Sequence, residues 1–464
     1  MKLEDSMSRK YGVLNCPPTE DSAAICHKRV DCEYVDLSQI FRQQSKDFSK
    51  QFAHIYAVRL SSLRDPLVKR ASAKWGSDVK VCRLVELEKA EGEKCVIIGT
   101  LFLDQRLKPS ILKDISEEAQ LIPQPIRTNF VSDTDTLILE DELQRIVLHG
   151  SLDVHKVVTG VVCAVLGKEE AEGGKFLVED WCFAGVETIP PLISPPKDDQ
   201  FVVLVSCLDL AGGTDLLSTQ LLIDWLSGML GEPADQERAA KVVRVILAGN
   251  SVRSDVEKKE DKVTKTTTIE SSSSSLSAVK LLDGFLNQLV QFVDVDIMPG
   301  EFDPTNHTLP QQPLHYCMFP NASRFKSLHG VTNPYSCLVN GRRITGTSGQ
   351  PVMDIIRFTR MSDPLDTLHQ TLEWGHLSPT SPDTLPCYPF YERDPFILEA
   401  RPDVYFAGNQ ETFQTKLVET LNGDGEVHKV RLICLPSFAK TATCAVVNLA
   451  NLDCHTMNFE VGMQ

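Results

Sequence analysis

Apolar residues recur at helical spacing near the start of the chain. Between Phe48 and Trp75 they lie three, four or seven positions apart: Phe52, Ile55, Tyr56, Leu60, Leu63, Leu67 and Val68. This period predicts an amphipathic helix that breaks near Pro66, because proline lacks the N–H that a helix interior needs. We expect its apolar side to pack on the rest of the chain; an exposed docking helix is the alternative. Residues 1–44 show no period, which predicts a mostly flexible tail.

The hydrophobic period becomes that of β-strands between residues 95 and 183. The β-rich runs are CVIIGTLF, TLILEDELQRIVLHG, VVTGVVCAVLG and GKFLVEDWCFAG, with glycines at the bends between them. Short strands of this kind predict a small closed or partly closed barrel, compatible with an oligonucleotide-binding fold. The strands lack the interleaved basic and aromatic residues of a nucleic-acid stacking platform. With the preceding helix, this barrel forms a predicted domain over residues 45–190.

A proline-rich connection, TIPPLISPPKDDQ at 188–200, follows the barrel and marks a domain boundary. Beyond it, the apolar runs FVVLVSCL, VVRVILAGN and VDIMPG alternate with the amphipathic segments LLSTQLLIDWLSGML and LSAVKLLDGFLNQLVQFV. Near-continuous apolar strands separated by helices predict a parallel sheet that is covered on both faces. The charged, serine-rich stretch within this region is expected to form a mobile surface loop over residues 253–275.

The C-terminal part returns to β-structure. Its apolar runs are DVYFAGN, FQTKLVETL, EVHKVRLICLP and TCAVVNLANL. The dipeptides Asn422-Gly423 and Asp424-Gly425 predict a hairpin turn between the second and third runs. We therefore expect a second domain over residues 198–464.

Composition and charge narrow the class of protein. Of 464 residues, 42% are hydrophobic and 24% charged, as in globular proteins, and no apolar run reaches the ~20 residues of a membrane-spanning helix. The 14 cysteines are scattered, which favours reduced thiols. The polar first residues favour the cytosol or nucleus. The net charge of −16 argues against strong nucleic-acid binding by this chain alone, but net charge does not report a local basic patch.

Ligands of open parallel sheets collect outside the carboxyl ends of the strands. The turns at such ends are SCLDLAGG (206–213), AGNSVR (248–253), PGEFDP (299–304), GTSGQ (346–350) and AGNQE (407–411). In this order they resemble the turns of calcineurin-like metallophosphoesterases, which carry Asp-x-His, Gly-Asp-x-x-Asp, Gly-Asn-His-Asp/Glu, a His and Gly-His-x-His. Two-metal phosphoester hydrolysis needs such carboxylates and imidazoles, because they hold two cations ~3.5–4 Å apart and activate a bridging water.

In the first two turns the residue types differ from those of that family. Cys207 and Asp209 stand where the first turn of the family carries Asp and His. Asn250 stands at the position of the metal-bridging Asp, and a neutral amide cannot balance two divalent charges. Arg253 stands at the position of a second acid, where a cation repels metal ions.

The last three turns have changed as well. Glu301 and Phe302 replace the Asn and the catalytic His, and only Asp303 is retained. The fourth turn contains no imidazole, and Asn409 and Glu411 stand in the turn that carries two histidines in the family. We therefore predict a degenerate site without catalytic, cofactor-binding or metal-binding residues.

An active hydrolase with a rearranged site is the alternative to a degenerate one. Its acids would be Asp209, Glu301, Asp303 and Glu411. It is disfavoured, since four acids without histidine offer no obvious general acid or metal-oriented base. A third interpretation is a single-strand DNA-binding module based on the barrel, which predicts steeply salt-dependent binding.

Four longer segments of the sequence resemble one particular family of proteins. LEDELQRIVLHG (139–150), VILAGN (245–250), DIMPGEFDPTNHTLPQQPLHYCMFP (296–320) and HLSPTSPDTLPCYPF (376–390) closely resemble the second (B) subunits of eukaryotic DNA polymerase delta. The resemblance covers nearly the whole chain from about Phe48 onward. It implies an oligonucleotide-binding-fold barrel joined to a degenerate calcineurin-like phosphoesterase domain, a two-sheet α/β sandwich, so that the fold class is α/β plus all-β.

The resemblance also implies a role in DNA replication and repair. It implies a nuclear, non-catalytic scaffold without cofactors or a membrane anchor, bound to the zinc- and iron–sulfur-bearing C-terminal region of the catalytic subunit. A third, clamp-binding accessory subunit would be the other partner, so that the sliding clamp is reached indirectly and DNA is contacted mainly through other subunits. Five aromatic residues either form these interfaces or fill the protein's own core: Phe302, Tyr316, Phe319, Tyr388 and Phe390.

Overall fold

The computed structural model describes most of the chain. The described residues are 27–43, 47–90, 93–109, 127–170, 174–187, 189, 194–212, 215–254, 267–421 and 427–461. Their strands in chain order are β1 (Tyr34–Asp36), β2 (Val81–Cys82), β3 (Cys95–Asp104), β4 (Thr136–Glu140), β5 (Arg145–Gly150), β6 (Val162–Glu169), β7 (Lys175–Phe183), β8 (Phe201–Val205), β9 (Val242–Ala248), β10 (Asp294–Met298), β11 (Leu328–Gly330), β12 (Tyr335–Val339), β13 (Arg342–Thr347), β14 (Val404–Gln410), β15 (Gln414–Leu421), β16 (Val427–Pro436), β17 (Thr443–Asn448) and β18 (Cys454–Asn458). Their α-helices are α1 (Ala53–Trp75), α2 (Leu216–Leu226), α3 (Pro233–Ala240), α4 (Thr267–Leu289), α5 (Gln350–Phe358), α6 (Pro364–Trp374) and α7 (Phe438–Thr441).

The chain divides into two compact units, each of which is discontinuous in sequence. The barrel unit consists of Ser45–Glu187 and Gln350–Arg401. The sandwich unit consists of Met1–Gln44, Thr188–Gly349 and Pro402–Gln464. The continuous domain expected over residues 198–464 is therefore interrupted, because Ile355 of α5 and Trp374 of α6 are buried in the same core as the barrel strands. The proline-rich connection in the sequence marks where one unit ends, but it does not show that a later segment of the chain packs back into that unit.

The barrel unit contains the small barrel that the strand pattern predicts. Its strands are hydrogen-bonded in the order β2-β3-β4-β5-β7-β6, and β3 also pairs with β6, which closes the sheet. Helix α1 packs on it through Leu60, Leu63 and Leu67, beside Val96 and Val162 of the strands. The apolar side of this helix is therefore covered by the rest of its own unit, as expected.

Helix α1 does not break at Pro66, which corrects the prediction. The helix is continuous over 23 residues with the proline inside it. An interior proline costs about 3 kcal/mol. Burial of one leucine side chain contributes about 1.5–3 kcal/mol, and Leu63 and Leu67 on either side of the proline are both buried. Tertiary burial therefore offsets the local cost.

The sandwich unit is built from two six-stranded sheets. The first has the order β11-β10-β9-β8-β17-β18, in which β8, β9, β10 and β11 are parallel. Helices α2 and α4 cover one of its faces through Leu222 and Leu282. The second sheet, β1-β12-β13-β14-β16-β15, covers the other face, where Ile246 lies in one core with Cys337 and Phe406. The predicted covered parallel sheet is present within a mixed α/β arrangement.

Two segments expected to be mobile contain regular structure. In the predicted tail, β1 pairs antiparallel with β12, and the Arg244 guanidinium lies 3.7 Å from the centre of the Tyr34 ring. In the predicted loop 253–275, α4 already begins at Thr267. The strand is stabilised by pairing with residues about 300 positions away, which no local pattern shows. Residues 255–266 and the predicted turn at 422–425 lie outside the described residues.

None of the described helices combines the length and the apolar character that a membrane-spanning segment requires.

Candidate functional site

The five turns singled out from the sequence meet within the sandwich unit. The backbone N–H of Asn409 donates to Ser206 Oγ (2.8 Å), which joins the fifth turn to the first. Its side-chain Nδ2 donates to Ser348 O (2.7 Å) and more weakly to Ala248 O (3.4 Å), which joins it to the fourth and second. We call this arrangement the turn cluster, and its residues are 206–212, 248–254, 299–304, 346–349 and 407–411.

Asp303 of the third turn binds backbone rather than side chains. Its Oδ1 accepts from the N–H of Val252 (2.8 Å), and its Oδ2 accepts from the N–H of Gly300 (2.9 Å) and Ser251 (3.2 Å). The carboxyl is buried, and burial raises its pKa while these N–H donors oppose that shift. Both oxygens thus accept hydrogen bonds that tie the second turn to the third.

Asn250 and Phe302 connect the same two turns. The Asn250 Oδ1 accepts from the backbone N–H of Phe302 at 3.2 Å, and Asn250 itself is buried. At the position of a bridging carboxylate, this chain therefore has a neutral amide whose oxygen already receives a hydrogen bond. The Phe302 side chain is half-buried and has no group that titrates.

The first turn contains one buried thiol and one carboxylate that is bound to the second turn. Cys207 is buried, and burial raises the pKa of its thiol to about 11, so it carries a proton at neutral pH. The Asp209 carboxylate accepts from the backbone N–H (3.0 Å) and the Oγ (2.6 Å) of Ser254 in the second turn. The protonated Cys207 thiol is therefore a poor metal ligand, and the Asp209 carboxylate ties the first turn to the second.

Backbone strain is concentrated in the turn cluster. Four residues other than glycine lie there in the left-handed region: Cys207 (φ 58°), Asp209 (φ 45°), Asn250 (φ 53°) and Asn409 (φ 55°). This conformation costs roughly 1–2 kcal/mol for an ordinary L-residue and less for Asn or Asp. Such strain persists only where surrounding structure enforces it, and it is typical of functional sites.

The remaining site residues are not assembled into a metal centre. Glu301 and Glu411 are exposed, and the Arg253 guanidinium donates to Ser275 Oγ at 3.0 Å. Within the described residues there is no group of three or more His, Cys, Asp or Glu side chains placed to hold a metal ion. The four acids considered for a rearranged hydrolase therefore do not form one site, and the residues present do not suit a pair of metal ions.

The aromatic residues considered for interfaces fall into two groups. Phe319, Tyr388 and Phe390 are buried within their own units, and Phe302 is half-buried. Tyr316 is 69% exposed. The core interpretation therefore holds for three of the five, and Tyr316 alone among them has a largely open surface.

Two buried ionic networks were not anticipated from the sequence. In the sandwich unit, Asp296 binds the Arg244 guanidinium and accepts from Tyr335 Oη at 2.6 Å. In the barrel unit, Asp394 Oδ2 binds Arg59 Nε (2.6 Å) and His376 Nε2 (2.9 Å). The signal available in the sequence was an arginine inside the otherwise apolar run VVRVILA, since a charge buried in a strand requires a partner.

Comparison with known proteins defines the class first. Residues 202–415, which include the whole turn cluster and all nine candidate site residues, match the family described as the B subunit of DNA polymerases alpha and epsilon. Residues 51–181 match the family described as the DNA polymerase delta subunit OB-fold domain, which confirms the fold of the barrel. Two successive parts of the chain thus match families of DNA polymerase subunits.

Individual relatives identify the branch. DNA polymerase delta subunit 2 of Drosophila melanogaster is 44% identical over 93% of this chain and 99% of its own length. The DNA polymerase delta small subunit of Arabidopsis thaliana is 41% identical over 93% of this chain and 97% of its own. That of Saccharomyces cerevisiae is 28% identical over 90% and 91%. The chain belongs to the family of DNA polymerase delta small subunits.

Proposed function

We propose that this chain is a non-catalytic accessory subunit of a DNA polymerase delta complex. The observation that carries the proposal is the Asp303 carboxylate, whose two oxygens accept from three backbone N–H groups in neighbouring turns. A carboxylate engaged in this way stabilises the turns and does not bind metal. The family to which the chain belongs supports the polymerase complex as the assembly.

The sandwich unit is then a phosphoesterase-like domain that has lost its chemistry. The order of the five turns, their convergence and the left-handed residues Cys207, Asp209, Asn250 and Asn409 support a former ligand site. Hydrogen bonds among the turns have replaced metal coordination. Such a domain retains a rigid, acidic surface on which other proteins assemble. Tight association on that surface depends on complementary shape and on apolar anchor residues.

The partners follow from the same proposal. One is the C-terminal, zinc- and iron–sulfur-bearing region of the catalytic subunit, and the other is a third accessory subunit that contacts the sliding clamp. The complex would act in the nucleus, in replication and repair, with DNA held mainly by other subunits. The net charge of −16 supports that division of labour, because a strongly acidic chain is poorly suited to grip DNA over a large surface.

Two assays on the full chain test this function. Co-expression should yield a stable complex of the chain with the catalytic subunit's C-terminal region and with the third subunit. The purified chain should not hydrolyse nitrophenyl phosphoesters or nucleic acid with Mn²⁺, Mg²⁺ or Ni²⁺. Turnover that is lost in Asp303→Ala but kept in Glu301→Ala, or failure to bind either subunit, would overturn the proposal.

A further inference from the structure

The longest stretch of this chain without a carboxylate side chain runs from residue 304 to residue 353. Asp and Glu account for 63 of the 464 residues, yet none occurs in this stretch of 50. Its cations are Arg324, Lys326, Arg342 and Arg343. A chain with a net charge of −16 therefore contains one extended region of opposite sign, which the net charge alone conceals.

Two of these cations lie on the surface, and residues close to them in the sequence carry exposed aromatic rings. Arg324 and Lys326 are exposed, whereas Arg342 pairs with Asp403 at 2.7 Å. Tyr316 is 69% exposed and Phe325 is 37% exposed. The His315 ring stacks on Tyr316, with 4.6 Å between the ring centres. We call the following set the cationic aromatic surface: His315, Tyr316, Arg324, Phe325 and Lys326.

This surface is held in place by helix α4. The buried Asp283 carboxylate of α4 accepts from the backbone N–H of Asn321 (3.2 Å) and Ala322 (2.9 Å) and from Asn321 Nδ2 (2.7 Å). The Nε of Arg324 donates to Pro320 O at 3.0 Å, which fixes the position of its guanidinium. Rings and cations on a fixed backbone lose less conformational entropy when a ligand binds.

Two acids that contact residues close to this surface, Asp283 and Asp294, already have partners. Asp283 is buried and bound by the backbone, as described above. Asp294 lies between Arg244 (3.6 Å) and His329 (3.9 Å). Lys280, one helical turn before Asp283, is exposed and adds a further cation on the same helix.

We propose that the cationic aromatic surface binds single-stranded nucleic acid. Arg324 and Lys326 would contact phosphates, while unpaired bases stack on Tyr316 and Phe325. An acidic peptide would need the cations but not the exposed ring faces, and a duplex would hide its bases from the rings. This contact is additional to the accessory role proposed above and does not depend on it.

Fluorescence anisotropy of labelled oligo-dT with the full chain, over a range of KCl concentrations, tests the proposal. Each phosphate contact contributes about 0.7 to the slope of log affinity against log salt for single strands. Arg324→Ala/Lys326→Ala should therefore lower the slope by about 1.4 and weaken binding at low salt by at least fivefold, if each cation meets one phosphate. Tyr316→Ser should weaken binding about fivefold or more while leaving the slope unchanged.

Matched controls and a competitor separate this result from general electrostatics. Lys429→Ala removes an exposed cation elsewhere in the sandwich unit, and Tyr391→Ser removes an exposed ring of the barrel unit; both should bind as the wild type does. Lys326→Arg should retain binding, which guards against a folding defect. Equal losses in the controls would overturn the proposal. So would binding of poly-glutamate as tightly as oligo-dT, combined with no effect of Tyr316→Ser, because that outcome would indicate an acidic protein ligand.

Discussion

Two buried carboxylates, one in each unit, are stabilised in opposite ways. Asp303 of the sandwich unit receives hydrogen bonds from backbone N–H groups. Asp394 of the barrel unit receives them from the Arg59 guanidinium and the His376 ring. Burial alone would raise the pKa of both; it does so for Asp303, whereas the charge of Arg59 holds the pKa of Asp394 below its usual range. Hydrogen bonds to the backbone thus connect neighbouring turns of the fold, and ion pairing connects segments that lie far apart in the sequence.

The difference shows two ways in which a buried carboxylate can stabilise a fold. The partners of Asp303 are backbone N–H groups of neighbouring turns, which would lose their acceptor without this carboxylate. Asp394 lies in a buried ionic network, and its partner Arg59 is 335 positions away. In both cases the carboxylate now serves the fold, which is what a scaffold requires.

Arg59→Ala should have the largest effect. The Arg59 guanidinium is fully buried and also donates to the carbonyls of Gly160, Pro379 and Ser381. Its loss leaves the Asp394 charge buried without a cation, which costs about 3–5 kcal/mol. Urea denaturation followed by tryptophan fluorescence measures this, since three of the four tryptophans belong to the barrel unit. Lys69→Ala breaks an ion pair whose lysine side chain is 76% exposed, so it should lower the free energy of unfolding by less than about 1 kcal/mol. Similar losses in both variants would contradict the account.

Asp303→Ala should destabilise the sandwich unit by about 2–4 kcal/mol, because buried N–H groups lose their acceptors. The amides of Ser251, Val252 and Gly300 should then exchange with solvent deuterium faster than in the wild type. The matched control is Glu301→Ala, two positions away and exposed, which should change stability by less than about 0.5 kcal/mol. Unchanged exchange in Asp303→Ala would show that the carboxylate does not hold the turns together.

The His376 ring should make the barrel unit sensitive to pH. Its Nδ1 accepts from the Ser378 N–H (3.2 Å), so Nε2 carries the proton donated to Asp394. Burial lowers the pKa of His376 to about 4. Between the pKa of about 6.5 in the unfolded state and the pKa of about 4 in the folded state, His376 is protonated mainly in the unfolded chain. The contribution of neutral His376 to the free energy of unfolding is therefore fully present above pH 6.5, and it falls by up to about 3 kcal/mol toward pH 4.

Unfolding by urea at pH 7 and pH 5 measures this dependence. His376→Asn should be less stable than the wild type at pH 7, since the Asp394 and Ser378 contacts change, but it should lose less stability between the two values. An equal loss in wild type and variant would assign the pH dependence to other groups. The exposed His54 provides a control, because His54→Asn should keep the wild-type slope.

Ser254→Ala should have the smallest effect. It removes one of the two hydrogen bonds that Ser254 donates to the half-buried Asp209, and the backbone N–H of residue 254 still donates to that carboxylate. We expect a loss of about 1 kcal/mol or less. A loss as large as that of Asp303→Ala would mean that the first turn, rather than the third, carries the stability of the turn cluster.

The sequence predicted those parts of the structure that local patterns encode. Short β-rich runs indicated the strands of the barrel, near-continuous apolar runs indicated those of the parallel sheet, and the strand ends indicated where ligand-binding turns would lie. Long-range partners left no such trace: β1 pairs with β12 about 300 residues away, and residues 350–401 return to the barrel unit. The residue types at Asn250, Phe302 and Asp303 are visible in the sequence. The backbone N–H groups that donate hydrogen bonds to the Asp303 carboxylate are not.

Titration of Mn²⁺ into the full chain, followed by electron paramagnetic resonance of the free ion, tests the central claim most directly. At physiological salt we predict that the signal of free Mn²⁺ rises in proportion to the amount added, as it does without protein. Loss of two equivalents of signal per chain, restored by Asp303→Asn, would show a dinuclear site at the turn cluster and would contradict the account.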